Sequence, residues 1–330
     1  MLGPKRLVSL LIFCVLCSGP QVFAQMPDET FLSAGNKLTY RYAMFGQDSL
    51  IATSKSQSSS FGFVTCEFVP VHGVEPGAFR VECDAPSSPT PLAWRPWSEE
   101  GYYGWRAGGL HHITSPTSSR LAVASDLPKD AGWVPRSVVV LGEPLSAICP
   151  ATSEPQEGQS LFEEACWTPT YGPVFFVGVD TSEGIYEASW ELIKAETPGE
   201  RSATKVSVAQ AKKLVKGWLW AQNTSRLQNY GWLYGSVFHG VERGAAGTGS
   251  FDRSAWLKER RKLFSRRNRV RIGELKVLTA GETTVVLFEQ ERDLGATGDS
   301  GLRELRLGIE RGRVVIAREE MLYAQALSAP

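Results

Sequence analysis

Short runs of alternating apolar and polar residues fill the first part of the chain, from Lys37 to Ile193. Clusters of Gly, Pro, Ser and Asp separate these runs at intervals of about ten residues, which is typical of antiparallel strands. No segment with helical periodicity of useful length interrupts them. The pattern predicts an all-β domain whose strands include residues 38–43, 61–71, 78–83, 138–141, 174–179 and 186–192.

The periodicity becomes helical at Ser207, which has the capping-box spacing with Gln210. The residues that then share one helical face are Val208, Ala211, Val215, Trp218 and Leu219. A second, short helix is predicted to carry Leu227, Tyr230 and Tyr234. After a glycine-rich loop at residues 240–249, Ser250 or Asp252 is expected to cap a third helix that ends at Phe264. The apolar side of this helix carries Trp256, Leu263 and Phe264.

Strand periodicity returns after the third helix. The phase of the alternation changes at Gly273, which predicts a β-bulge there. The four predicted strands are residues 269–278, 283–292, 302–310 and 313–322.

The N-terminus has the features of a cleavable secretory signal. Lys5 and Arg6 precede an apolar run at residues 7–16 that is too short to span a bilayer. Cleavage is expected after Ala24. Lipidation at Cys17 is the alternative, but Leu16 stands where a lipoprotein signal has a small residue. We therefore expect an exported bacterial protein, periplasmic or secreted, with no transmembrane segment in the mature chain.

Four cysteines remain after the signal, an even number in an exported chain. Cys66 and Cys83 are 17 residues apart, as are Cys149 and Cys166, and each pair brackets a turn-rich stretch. Each pair would face across a hairpin, so we predict the bridges Cys66–Cys83 and Cys149–Cys166, with buried free thiols as the alternative. A zinc site is disfavoured because the chain has no CxxC, and we expect neither a metal nor a cofactor.

Charge divides the chain into two parts. Residues 25–199 carry 10 basic and 21 acidic side chains, a net −11, whereas residues 200–330 carry 23 and 14, a net +9. This division favours two domains, with possible contact between them. Nucleic acid is not an expected partner of the basic part, because no recognition motif is present.

The second domain resembles the cone-shaped superfamily named after nuclear transport factor 2, and is most similar to SnoaL-like domains appended to some exported L,D-transpeptidases. The motifs that carry the resemblance, over about residues 205–323, are Trp218-Leu219-Trp220-Ala221, Leu227-Gln228-Asn229-Tyr230 with Tyr234 and Phe238, Ser254-Ala255-Trp256 with Arg260-Arg261, Thr284-Val285-Val286-Leu287-Phe288-Glu289-Gln290, and Val314-Val315-Ile316-Ala317-Arg318-Glu319-Glu320. The N-terminal domain resembles only β-rich envelope domains of unknown function.

The implied fold class is α+β: an N-terminal all-β antiparallel domain followed by a cone of three helices and a curved four-stranded antiparallel sheet. The predicted divisions are a signal peptide at 1–24, a disulfide-stapled β domain at 25–193, a linker at 194–204, the nuclear transport factor 2-like domain at 205–323 and a tail at 324–330. A transpeptidase would need a nucleophilic cysteine with a nearby histidine, and neither Cys149 nor Cys166 has one beside it.

The resemblance implies a pocket inside the cone, with these candidate lining residues: Tyr230, Tyr234, His239, Trp256, Arg260, Glu289 and Glu291. Helical spacing places Arg260 on the buried face of the third helix, so its charge needs a partner. That partner is expected to be Glu289, Glu291 or an anionic ligand. A further basic run could attract acidic glycan or lipid head groups, or could simply be a solvated helix face: Lys258, Arg260, Arg261, Lys262, Arg266, Arg267, Arg269 and Arg271.

No catalytic constellation is evident in the sequence. We therefore predict a non-catalytic envelope module that binds a small ligand, an envelope protein or a cell-wall polymer. The alternatives are a small-molecule isomerase, dehydratase or hydrolase that uses the cone pocket, and a peptidoglycan-associated accessory protein. A homodimer through the C-terminal sheet is also possible.

Overall fold

A computed structural model describes fifteen segments of the chain: residues 30–47, 57–84, 96–97, 100–106, 109–115, 118–124, 133–141, 143–150, 161–180, 185–199, 206–244, 247–266, 268–280, 283–295 and 297–327. The predicted signal peptide and its cleavage site after Ala24 lie outside the described residues, as does part of the predicted linker. None of the three helices in the described segments is long and apolar enough to cross a membrane.

The N-terminal sheet has eleven strands, and all of its neighbours are antiparallel. The strands are β1 (Lys37–Gln47), β2 (Gln57–Pro70), β3 (Phe79–Cys83), β4 (Tyr102–Arg106), β5 (Gly109–Ser115), β6 (Ser118–Ala124), β7 (Trp133–Val140), β8 (Glu143–Pro150), β9 (Leu161–Thr168), β10 (Gly172–Asp180) and β11 (Ile185–Glu196). Their order is β6-β5-β4-β3-β2-β1-β11-β10-β9-β8-β7, so the first and last strands pair in the middle. The all-β prediction for this half is confirmed for the described residues.

Both predicted disulfides are present. Cys66 on β2 is directly opposite Cys83 on β3, with their Cα atoms 4.0 Å apart. Cys149 on β8 and Cys166 on β9 form the second bridge, with a Cα separation of 4.3 Å. The hairpin symmetry of the sequence was sufficient to predict the pairing, because opposed strand residues have close Cβ atoms.

The C-terminal half contains three helices and a seven-stranded sheet. The helices are α1 (Val208–Asn223), α2 (Leu227–Trp232) and α3 (Arg253–Phe264). The strands are β12 (Tyr234–Gly244), β13 (Gly247–Asp252), β14 (Arg269–Ile272), β15 (Lys276–Ala280), β16 (Thr283–Asp293), β17 (Gly298–Glu310) and β18 (Arg313–Leu327). Their order is β13-β12-β18-β17-β16-β14, with β15 also on β16, and only β12 and β18 are parallel.

The helix starts were predicted correctly. The Ser207 side chain accepts a hydrogen bond from Gln210 N, and the Gln210 side chain accepts one from Ser207 N, which completes the capping box of α1. Asp252 caps α3 by accepting a hydrogen bond of 2.7 Å from Ala255 N. These signals are local, and the rest of the chain does not alter them.

The predicted fold class is wrong. The described chain is mostly β, with two large sheets and three helices, rather than a β domain followed by a three-helix cone on a four-stranded sheet. Tyr234 begins β12 instead of continuing α2, and the expected glycine-rich loop is the β12–β13 hairpin. The predicted single strand at 269–278 is two strands, β14 and β15, on either side of Gly273.

Gly240 shows why the glycines of this region were misinterpreted. It is buried in β12, and a Cβ at this position would lie 2.4 Å from Cε3 of Trp256. Glycine here allows the α3 indole to approach the strand backbone closely, and it does not mark a loop.

The C-terminal sheet packs against other elements on both of its faces. We call the face that packs against the helices the inner face, and the opposite one the outer face. The inner face contributes to one core with the helices: Val286, Phe288, Leu305, Leu307 and Ile316 pack there with Trp218, Tyr230 and Trp256. The outer face packs on the middle of the N-terminal sheet.

A second, smaller cluster joins the two sheets. Its members are Ala43, Leu287, Leu302 and Leu322, with Phe61 and Phe63 packed against them. Beside this cluster, Arg41 on β1 pairs with Glu304 on β17 at 3.0 Å. This contact covers part of the outer face. A homodimer through the C-terminal sheet would need the same face, and it remains a prediction.

Candidate ligand site on the inner face

The carboxylate of Glu319 lies at the centre of the inner face and is almost completely buried. Arg303 Nη1 donates to it at 2.9 Å, Trp218 Nε1 at 3.2 Å and the Tyr230 hydroxyl at 3.4 Å. The Tyr234 hydroxyl is a fourth, closer donor. Four donors from α1, α2, β12 and β17 therefore surround one carboxylate and hold it in place.

The two phenols remain protonated at neutral pH. Burial, and then the negative charge of Glu319, raise the pKa of Tyr230 to about 12. The same two causes raise the pKa of Tyr234 well above its usual range. Both hydroxyl groups are therefore donors in this site, and neither supplies a base.

Arg260 is buried, as the helical spacing predicted, but its partner was not predicted. Its Nη2 donates to Glu242 Oε1 on β12 at 2.8 Å, and its guanidinium carbon lies 3.8 Å from the ring centroid of Trp256. Burial alone would lower the pKa of Arg260, but Tyr230, Glu242 and Glu319 outweigh it and raise that pKa. The arginine is thus a permanent cation stabilised by an ion pair and an aromatic ring.

Several buried polar atoms on this side of the sheet have no hydrogen-bond partner. Gln290, on β16, is 1% exposed, and neither its Nε2 nor its Oε1 is paired. The other unpaired atoms of this region are Asn268 Nδ2, Asn268 Oδ1, Trp256 Nε1, Arg260 Nε and Arg303 Nε. Among the described residues of the inner face, five donor atoms and two acceptor atoms are thus unpaired. We call these residues, with Trp218, Tyr230, Tyr234, Glu242 and Glu319, the inner site.

Strand register places Gln290 beside Arg303. Gln290 and Phe288 lie on the same face of β16, and Phe288 is directly opposite Arg303 on β17. Gln290 is therefore diagonal to Arg303 on the inner face, within reach of a long side chain.

The predicted pocket residues divide between the two faces. Tyr230, Tyr234, Trp256 and Arg260 are brought together in the inner site. Glu289 and Glu291 lie on the opposite face of β16 and are exposed, and Glu291 is 3.7 Å from Arg271. Neither glutamate contributes to the inner site.

His239 is also outside the inner site. It is exposed on β12, between the buried Phe238 and Gly240, and its Nε2 is 2.8 Å from Ser250 Oγ. Partial burial, and then the charge of Arg318, lower the pKa of this histidine. Within the described part of the chain, His239 is therefore separated from the buried group of Tyr230, Tyr234 and Glu319.

Sequence reasoning missed Glu242, Gln290, Arg303 and Glu319. For Gln290 a signal was present, because Val286, Phe288 and Gln290 alternate on one face and the third is polar. Among the described residues, no group of three or more His, Cys, Asp or Glu side chains could hold a metal ion.

No family model matches this chain, and no curated protein matches it. Solved structures of nuclear transport factor 2-like proteins are similar to it over about a third of its length. A nuclear transport factor 2-like protein of unknown function from Pseudomonas putida is 13% identical, with a TM-score of 0.31, over 37% of this chain and 85% of its own. A putative dehydratase of the same family from Streptomyces avermitilis is 13% identical, with a TM-score of 0.31, over 37% and 96%.

The Bdellovibrio bacteriovorus protein Bd1075 is 16% identical, with a TM-score of 0.30, over 34% of this chain. The match spans 39% of the Bdellovibrio protein, about two fifths of its length.

Proposed function

We propose that this protein is an exported, non-catalytic binding module whose inner site takes a small ligand rich in hydrogen-bond acceptors. The proposal is carried by the Gln290 amide, which is buried with both of its polar atoms unpaired. A buried polar group without a partner costs about 1–3 kcal/mol. A ligand that pairs with Gln290 would remove this cost.

The unpaired atoms indicate the chemistry of the ligand. Donors outnumber acceptors by five to two in the inner site. A carboxylate or carbonyl group complements this surplus, because it accepts hydrogen bonds and donates none. The rings of Trp256, Phe238 and Tyr230 surround the same region and favour an apolar or aromatic body. We therefore expect a small aromatic or apolar carboxylate or ketone.

Non-catalytic binding is favoured because the ionisable groups of the inner site are already hydrogen-bonded or ion-paired to one another. Glu319 already accepts from four donors, three of them on Oε2 and Arg303 on Oε1, so both of its oxygens are engaged within the protein. Arg260 and Arg303 are paired with Glu242 and Glu319. The one nearby histidine, His239, lies on the outer side of β12.

Export is supported by the two disulfides, since such bonds persist mainly in oxidising compartments.

The test uses benzoate as the probe and benzyl alcohol as its neutral counterpart. Benzoate should raise the melting temperature of the whole protein in a concentration-dependent manner, and benzyl alcohol should do so less. Gln290→Leu should melt at the same temperature or higher without a probe and should lose most of the benzoate effect. Gln228→Leu, at an exposed position of α2, is the matched control and should keep it.

Two results would contradict the proposal. One is a benzoate shift that Gln290→Leu leaves intact, since the ligand would then bind elsewhere. The other is a large loss of stability in Gln290→Leu without any probe, because that loss would show that the amide is already paired within the protein.

A further inference from the structure

The helical side of the C-terminal half is strongly basic. Residues 206–271 contain 14 Lys and Arg but only three acidic residues, Glu242, Asp252 and Glu259, a net +11 in a chain whose total is zero. No acidic residue occurs from Val206 to Val241, across α1, α2 and the start of β12. The described basic side chains that are exposed on the helices and the connections after them are Lys212, Lys213, Lys216, Arg226, Lys258, Arg261, Lys262 and Arg266.

Large apolar side chains are exposed on the first two of these helices. Trp220, on α1, is 52% exposed, and Trp232, at the end of α2, is 56% exposed. Tryptophan side chains usually bury most of their area or place one edge at an interface. Two of them exposed to this extent therefore need an explanation in the function of the surface.

The two tryptophans belong to adjoining elements. A Cβ at Gly217, one turn before Trp220 on α1, would lie 3.9 Å from Cδ2 of Leu233, the residue that follows Trp232. Lys213 and Lys216 precede Trp220 by seven and four residues, so they share its side of the helix. We call the exposed cations and indoles of these two adjoining helices and the turn between them the helical face: Lys213, Lys216, Trp220, Arg226 and Trp232.

The helical face lies on the side of the C-terminal half that does not contact the N-terminal sheet. The N-terminal sheet packs on the outer face of the C-terminal sheet, through Ala43 and Arg41. The helices pack on the inner face, so their exposed residues point away from the N-terminal sheet.

We propose that the helical face docks on a bilayer surface that contains anionic lipid. Lysine and arginine side chains are attracted to anionic head groups, at about 1 kcal/mol for each one near the surface. Trp220 and Trp232 would place their rings at the level of the head groups, where an apolar body and one N–H group are both accommodated. The protein would lie on the membrane without crossing it. This inference does not depend on the inner site.

Lipid is favoured over other anionic partners because charge alone does not account for the indoles. A soluble polyanion is attracted by the cations and gains little from two tryptophans that face solvent. An acidic protein would use both features, but it would need a shaped complementary surface. A fluid bilayer presents anionic head groups above an apolar acyl region. Because its lipids are mobile, it can accommodate the cations and indoles without a preformed complementary surface.

The experiment is flotation of the whole protein with two kinds of vesicle. One is pure phosphatidylcholine, and the other is phosphatidylcholine with an equal share of phosphatidylglycerol. Binding should occur with the anionic vesicles and decrease as salt is added, because salt screens exposed charges. Lys213→Gln with Lys216→Gln should weaken the partition coefficient by about twentyfold or more, since each charge contributes about fivefold.

Trp220→Gln with Trp232→Gln should also weaken binding to anionic vesicles, and this loss should persist at high salt. The matched controls lie on the N-terminal sheet: Val139→Ser, at an apolar position that is 70% exposed, and Lys37→Gln, at a lysine whose side chain is 44% exposed beside Glu67. Both controls should bind as the unmodified protein does. The melting temperatures of all variants should agree closely, because every substituted residue is exposed or half-exposed and a surface ion pair contributes little.

Three outcomes would overturn the proposal. The first is no flotation with anionic vesicles at low salt. The second is equal binding to neutral and anionic vesicles. The third is binding that depends on the lysines but not on the tryptophans and that soluble dextran sulfate abolishes, which would identify a site for polyanions instead.

Discussion

Arg41 links the two sheets, and its removal is the sharpest test of how they hold together. It is 1% exposed on β1, with Nη2 2.8 Å from Glu191 on β11 and Nε 3.0 Å from Glu304 on β17. Arg306 pairs with the same two carboxylates, each at 2.5 Å. Arg41→Met would keep much of the side-chain volume and remove one charge from this buried network.

The expected loss in the free energy of unfolding depends on which charges remain after the substitution. Removing one partner of a buried ion pair usually destabilises a protein by about 3–5 kcal/mol, because a charge is left without compensation. Here Arg306 still reaches Glu191 and Glu304, so we expect the lower end, about 3 kcal/mol. Arg41→Met with Glu304→Gln restores the balance of charge and should recover about 1–2 kcal/mol of that loss.

The chain offers a matched control in Arg80→Met. Arg80 pairs with Glu82 at 2.6 Å on β3, and both side chains are about half exposed. An exposed pair of this kind contributes about 0–1 kcal/mol, although its distance is as short as those of Arg41. The comparison therefore isolates burial as the cause.

Urea unfolding should give the free energies, and hydrogen exchange read by mass spectrometry should locate the loss. In Arg41→Met, protection should decrease together in β1 and β11 and in β17 and β18. The reasoning would be refuted if Arg41→Met cost no more than Arg80→Met. It would also be refuted if protection fell only in the N-terminal sheet, since the halves would then be energetically independent.

Three further changes test other parts of the structure. Gly240→Ala should destabilise the protein by about 1–3 kcal/mol, because its Cβ would overlap the α3 indole, whereas Gly308→Ala, with open space around it, should cost much less in the same thermal melts. Replacing Cys66 and Cys83 with alanine should cost about 3 kcal/mol in urea unfolding, since the bridge closes a loop of 17 residues. Burial alone would raise the pKa of Glu191, but Arg306, Arg318 and Arg41 hold it well below its usual 4.5. The folded chain thus binds fewer protons than the unfolded chain, and melts should show stability that is present at pH 5 and is lost as the pH falls below about 4.5.

The elements predicted correctly depend on neighbours in the sequence. The capping box at Ser207 needs only Gln210, and the bridge between Cys66 and Cys83 needs only one hairpin. Similarly, the position of Arg260 followed from the spacing of apolar residues on α3. Each of these features is decided within one helix or hairpin.

The missed features depend on distant segments. β12 pairs in parallel with β18, which is far away in sequence, and the many glycines of its local hairpin with β13 resembled a loop. β17 and β18 shift register between Leu302 and Arg303 and again between Arg306 and Leu307. The extra residue of each shift is on β18, so Ile316 and Glu319, which oppose Leu307 and Leu305, share the inner face although they are three residues apart. Alternation alone therefore could not assign Glu319 to the inner face.

The partner of Arg260 was mispredicted for a different reason. Glu289 and Glu291 follow a run at 284–288 on β16 that is buried on both faces. The sequence does not tell which face meets the helices when both are apolar. Glu242 was overlooked because it was assigned to a loop.

The buried ion pairs between the two sheets change how the opposite net charges of the two halves should be interpreted. Net charges of −11 and +9 suggested that the two halves attract each other. The contact is instead a balanced set, in which the N-terminal half supplies one cation and one anion, Arg41 and Glu191. The C-terminal half supplies Arg306, Arg318, Glu304 and Glu320. Since the contact uses equal numbers of both signs, it leaves the positive surplus of the C-terminal half unneutralised. That surplus is concentrated in residues 206–271, on the side where Trp220 and Trp232 are exposed.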